Sequence, residues 1–96
     1  MKRAWVYMVT NTTGSTLYTG VTSNLARRAW EHREGVIDGF TRKYKAGKLV
    51  WYEEHDTMLG AIQREKNIKH WSRDWKNQLV EQLNPQWRDL YEDLNK

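Results

Sequence analysis

The chain has 96 residues, 39% of them apolar, with one proline and no cysteine; 16 Lys and Arg against 12 Asp and Glu give a net charge of +4 and a pI near 9.5. One domain spanning 1–96 is the simplest organisation at this length, and the missing cysteines exclude a disulfide framework, thiolate catalysis and zinc fingers. The basic balance favours an anionic partner, nucleic acid first, with acidic protein or a membrane surface behind it.

The N-terminal "MKRAWVYMVTN" carries an apolar run too short for a signal peptide or a membrane span, so a cytoplasmic protein with no membrane partner is expected. Within it "AWVYMVT" is β-branched and aromatic and reads as a strand, with Trp5, Tyr7 and Val9 on one face and Val6 and Met8 on the other. "NTTGST" supplies turn chemistry and "LYTGV" a second strand, so the two form an antiparallel hairpin. Ser23 or Asn24 caps a helix running from about Leu25 to Arg33, which Gly35 stops. "DGFTRKYKAGK" reads as a basic loop or short helical turn, and "LVWYEE" as a third strand. Asp56 or Thr57 then caps a helix from Met58 to about Trp71, "SRDWKNQLVEQL" gives another, and Asn84-Pro85 opens a last one with Trp87, Leu90, Tyr91 and Leu94 on its apolar face. The order ββαβααα implies an α+β fold, a three-stranded, mainly antiparallel sheet flanked by helices. Most of the six tryptophans, at strand and helix spacing, are expected in the core.

Several polar residues fall where a plain core would take leucines. On the helical wheel Met58, Ala61, Ile62 and Ile68 lie within roughly 60° of Glu65, so its carboxylate sits mid-stripe and calls for a cation. A facing lysine or arginine would make an ion pair without function, and helix position alone favours that reading over a metal ion. In the first helix Leu25, Ala29 and Val36 define the apolar side, His32 shares it, and Arg28 lies at its edge one turn earlier. Arg27 faces away, as a solvated or phosphate-facing charge. Singly, His32 reads as a hydrogen-bonded packing residue, and Tyr7 and Tyr18 as packing aromatics.

Together the spacing resembles a known pattern. "WVY" in the first strand, "YTG" in the second with Tyr18 eleven residues after Tyr7, Arg28 ten after Tyr18, His32 four after that, and Glu65 in the helix after the third strand resemble the GIY-YIG nuclease domain. The stretches "LYTGVTSNLARRAWEH", "GFTRKY", "LVWYEE", "AIQREKNIKHW" and "NPQWRDL" are similar to its small stand-alone branch, related to the amino-terminal nuclease domain of the ABC excinuclease. Two departures are mild: Trp5-Val6-Tyr7 replaces Gly-Ile-Tyr, and Thr19 the central isoleucine of the second triplet. For the family's late active-site asparagine, Asn77 and Asn84 are both candidates.

The resemblance implies a divalent-metal-dependent endonuclease that hydrolyses phosphodiester bonds in DNA, with RNA also open, in repair or in processing of branched or single-stranded DNA. Glu65 would hold one Mg²⁺ or Mn²⁺, Arg28 would pin the scissile phosphate, and Tyr7 and Tyr18 would orient the attacking water, one of them acting as general base. His32 would relay that proton or position a tyrosine. Arg42, Lys43 and Lys45, with Lys48 beyond and Arg27 on the helix, would contact backbone phosphates, the alternative being a solvated charge run. Weak, sequence-indifferent binding implies targeting by a protein partner or a DNA structure, with the chain a monomer or weak dimer. The alternative is a catalytically inactive nucleic-acid-binding or protein-interaction module on the same fold.

Overall fold

The computed structural model describes residues 3–37 and 39–95. Strands β1 (Ala4–Thr10) and β2 (Leu17–Thr22) are followed by helices α1 (Leu25–Glu34) and α2 (Phe40–Lys43). Strand β3 (Lys48–His55), helices α3 (Met58–Lys69) and α4 (Arg73–Leu83), and a 3-10 helix over Leu90–Asn95 complete the chain. The strands form one sheet in the order β2-β1-β3, antiparallel at both seams, and the fold is α+β.

Strand β1 takes the centre because it is apolar on both faces. Ala4, Val6 and Met8 are fully buried and pack with Val50, Trp51, Ala61 and Ile68 of α3 and Val80 of α4. Tyr7 and Val9 point the other way, into a cluster with Leu25 and Ala29 of α1, Ala46, Leu49 and Leu90, as the two-residue alternation of a strand requires. Each such large apolar side chain contributes roughly 1.5–3 kcal/mol on burial. The hairpin turn closes with the Gly14 N–H donating to the Asn11 carbonyl at 3.1 Å, Gly14 taking φ +75°, and this sets Tyr7 opposite Gly20 and Val9 opposite Tyr18.

Caps fix the helix phases. The Asn24 side chain accepts from the Arg27 N–H and Gly35 ends α1 in the left-handed region; Thr57 caps α3 and Ser72 caps α4. With α1 anchored at both ends, Ala29 and His32 turn inward.

The basic stretch expected as a loop or short helical turn winds into a short helix, Phe40–Lys43, between β2 and β3. Other expectations need correction. Helix α3 ends at Lys69, before Trp71. Asn84 closes α4 instead of opening a new helix, and Trp87 sits at φ +55°, which an α-helix cannot pass through; only Leu90–Asn95 winds, as 3-10. Val36 lies beyond α1 and is exposed. Most of the tryptophans do join the core, Trp51 buried and Trp5, Trp71 and Trp87 packed half-buried against it, while Trp30 and Trp75 are largely exposed.

Pairing of β1 with β3 shifts between Met8↔Trp51 and Val9↔Leu49, so Val50 is the extra residue of a β-bulge and leaves the regular ladder. The buried Asn84 amide donates to the Val50 carbonyl at 3.0 Å and to the Arg88 carbonyl at 2.8 Å, and its oxygen accepts from the Arg88 N–H. One side chain thus satisfies the bulge and ties the end of α4 to the strand. Among the described residues no helix is long and apolar enough to cross a membrane.

Candidate active site

Tyr7 lies at the middle of the central strand with its ring on the α1 side, packed over Gly20. A Cβ at Gly20 would stand 2.5 Å from the Tyr7 hydroxyl oxygen and 2.6 Å from Cζ, closer than real contacts allow, so only glycine leaves the ring its place. The Tyr7 hydroxyl and His32 Nε2 are 2.8 Å apart. The Tyr18 ring centroid lies 5.9 Å from that of His32, so both strands and α1 deliver one aromatic-imidazole cluster.

Burial pushes the Tyr7 phenol well above its ordinary range; the neighbouring Tyr18 phenol and the carboxylates of Glu31 and Glu65 add to the rise, while Arg28 opposes it. Burial also lowers His32 to about 4, helped by the Arg28 cation and opposed by Glu31. His32 Nδ1 is buried without a hydrogen-bond partner among the described residues, and an imidazolium would leave a charged N–H donor unpaired there. At neutral pH the pair is therefore a neutral phenol and a neutral imidazole.

Charges ring this cluster. Arg28, 40% exposed, pairs with Glu31 at 3.6 Å and acts electrostatically on both Tyr7 and His32. From α3, Glu65 pairs with Lys69 at 3.1 Å; the carboxylate side chain is 15% exposed and the lysine 45%. Lys69 Nζ also sits 5.4 Å over the Tyr18 ring. The cation facing Glu65 is thus its own helix neighbour, reaching solvent, and the pair is not a buried one.

The donor set fits one hard divalent ion. Glu65 offers carboxylate oxygens at the rim of the cluster, as Mg²⁺ and Mn²⁺ prefer, and among the described residues no group of three or more His, Cys, Asp or Glu gathers as a metal cage. An ion here would therefore take one carboxylate and complete its shell with water and phosphate oxygens.

The remaining predicted residues lie outside this cluster. Arg27 is 71% exposed and pairs with Glu31 at 3.5 Å. Arg42, Lys43 and Lys45 are exposed on and after α2, Lys43 lying over the Tyr44 ring at 5.5 Å, and Lys48 begins β3. Asn77 accepts from Arg73, and Asn84 is committed to Val50 and Arg88, so neither asparagine shares a contact with the tyrosine pair. Sequence reasoning missed Glu31, Lys69 and the role of Gly20. The first two carried a signal, since Glu31 stands three residues after Arg28 and Lys69 four after Glu65, the spacings at which helical charges meet. Gly20 was visible as the glycine of the second triplet, Tyr18-Thr19-Gly20, but its close approach to the Tyr7 ring needs the strand register.

The sequence profile of the GIY-YIG catalytic domain matches residues 3–78, from the first strand into α4 and across every residue of the cluster. The chain belongs to the GIY-YIG family. GIY-YIG domains are typically nucleases. The chain is similar to a UPF0213 protein of Syntrophus aciditrophicus, 38% identical over 87 residues and covering 90% of this chain and 98% of that one. It is also similar to a UPF0213 protein of Haloquadratum walsbyi, 38% identical over 78 residues, 81% of this chain and 86% of the other. The solution NMR structure of the UPF0213 protein BH0048 from Bacillus halodurans superposes with a TM-score of 0.58 at 29% identity, covering 91% of this chain and 92% of that one. This likeness extends the GIY-YIG fold over nearly the whole chain.

Proposed function

We propose that this GIY-YIG domain is a divalent-metal-dependent endonuclease hydrolysing phosphodiester bonds in DNA, with Tyr7, Tyr18, Arg28, His32 and Glu65 as its active site. The observation that carries this reading is the hydrogen bond of Tyr7 to a neutral His32 beside Arg28 and Glu65. Singly these side chains would serve packing; their convergence with a cation and a rim carboxylate, which binding alone does not require, supports a catalytic site. Glu65 would hold one Mg²⁺ or Mn²⁺, which would polarise the phosphoryl group and neutralise charge developing on it.

The chain's own residues supply the rest. Arg28, permanently charged and half in solvent, binds a non-bridging oxygen of the scissile phosphate through its planar fork. Tyr7, too weak an acid to ionise by itself, stays a neutral phenol held by His32 and orients the attacking water through its hydroxyl oxygen, so neither a phenolate nor an imidazolium is formed. His32 serves because it is neutral at cellular pH and holds the Tyr7 hydroxyl by a hydrogen bond without bringing a charge into the cluster. Tyr18 and Lys69 flank the same cluster, the ammonium lying over the ring face, where it attracts an anionic backbone.

The test is cleavage of plasmid DNA and of a single-stranded oligonucleotide by purified protein, with Mg²⁺, with Mn²⁺ and with chelator. Product that appears with either metal and vanishes on chelation is expected. Binding without cleavage under every condition would favour the inactive module.

A further inference from the structure

Helix α2 is turned inside out. Its threonine, Thr41, is buried, while the flanking Phe40 and Tyr44 are 47% and 42% exposed; an amphipathic surface turn would do the reverse. The two rings touch, with centroids 4.6 Å apart, and Phe40 lies stacked on Tyr18, centroids 6.2 Å apart and planes 26° from parallel. A continuous aromatic path therefore leaves the candidate active site at Tyr18 and runs outward over α2. Cations lie along it: Lys69 over Tyr18 and Lys43 over Tyr44.

From this path we infer that Phe40 and Tyr44 form a stacking platform for unpaired nucleobases next to the scissile phosphate, so the substrate class is DNA that is single-stranded at the cleavage point. The inference deepens the nuclease reading and rests on it for placing the scissile phosphate beside Tyr18. Nucleobases present a π-face only when they leave the duplex stack, and exposed aromatics interleaved with lysines match such a strand in both shape and charge. A duplex offers this surface only its phosphates; its base faces are covered by their neighbours. A protein partner would find Phe40 and Tyr44 apolar enough, but it has no need of a lysine over each end of the path or of continuity with Tyr18.

The experiment measures equilibrium binding in chelator, by fluorescence anisotropy, to a labelled single-stranded oligonucleotide and to a blunt duplex of the same sequence. Wild type, Phe40→Ala, Tyr44→Ala, Phe40→Leu and Phe40→Trp are compared, with a melting curve for each. Wild type should prefer the single strand. Both alanine variants should lose about tenfold or more on the single strand and less than about twofold on the duplex. Phe40→Leu, which keeps apolar bulk for the fold, should lose like Phe40→Ala, and Phe40→Trp should bind as wild type does. Equal losses on both ligands, no loss on the single strand, or Phe40→Leu binding as wild type would overturn the platform. Because nothing is cleaved in chelator, an inactive wild type would sink the nuclease reading and leave this comparison standing, and a failed comparison would leave cleavage untouched.

Discussion

At the scale of single residues the site is a problem in keeping polar groups neutral inside a small core. His32 is 6% exposed and held down to about 4 by burial first and by Arg28 second, against about 6.5 for an unfolded histidine. The unfolded chain therefore binds this proton more tightly than the folded one, so stability falls as pH drops from about 6.5 to about 4 and the loss is complete below that, amounting to roughly 3 kcal/mol. Replacing His32 by glutamine keeps a hydrogen-bonding side chain for Tyr7 and removes the titration. Melting curves between neutral pH and pH 4 should then fall less steeply for His32→Gln than for wild type; parallel curves would mean that His32 takes up its proton in the folded state without penalty.

At the scale of elements, the bulge at Val50 decides how the third strand meets the helices. Asn84 answers the Val50 carbonyl and also holds the Arg88 backbone at both its N–H and its C=O. Asn84→Ala would leave a buried carbonyl unpaired and should lower stability by about 1–3 kcal/mol, measurable by denaturant unfolding, while DNA cleavage per folded molecule stays near wild type. The strands, the hairpin and the starts of the helices were legible in the sequence, because alternation and capping residues such as Asn24, Thr57 and Ser72 are local signals. The end of the chain was not. Asn84-Pro85 has the chemistry of a helix start, and only a tertiary demand, the carbonyl freed on β3, turns Asn84 into a closing clamp. Two of the six tryptophans depart from the expected core placement for a related reason: Trp30 and Trp75 sit at helical spacing that fits a core, yet the sheet faces are filled by other residues and leave them outside. The members of the site were legible only jointly, as Tyr7, Tyr18, Arg28, His32 and Glu65 in one spacing, whereas the exposed aromatic path of Phe40 and Tyr44 needs the three-dimensional position of Tyr18 to mean anything.

At the scale of the molecule, a net charge of +4 gives general attraction to a polyanion, and the placement of charge decides what that attraction does. Arg42, Lys43 and Lys45 lie together on and after α2, beside the aromatic path leading to Tyr18. If they contact phosphates, neutralising all three should weaken DNA binding alike for every sequence and reduce the slope of log affinity against log salt by up to about 3 on duplex and about 2 on single strands. An unchanged slope would return them to the solvent. Metal-dependent phosphodiester hydrolysis by this cluster rests most directly on Glu65. Because its partner Lys69 already reaches solvent, Glu65→Gln strands no buried charge and should cost less than about 1 kcal/mol of stability. Single-turnover cleavage of DNA in Mg²⁺ by wild type and by Glu65→Gln, at protein concentrations that saturate binding for both, is the decisive measurement. Cleavage by the wild type is expected, with a loss of at least about a hundredfold in Glu65→Gln while DNA stays bound; cleavage at the wild-type rate by a folded, DNA-bound Glu65→Gln would contradict it.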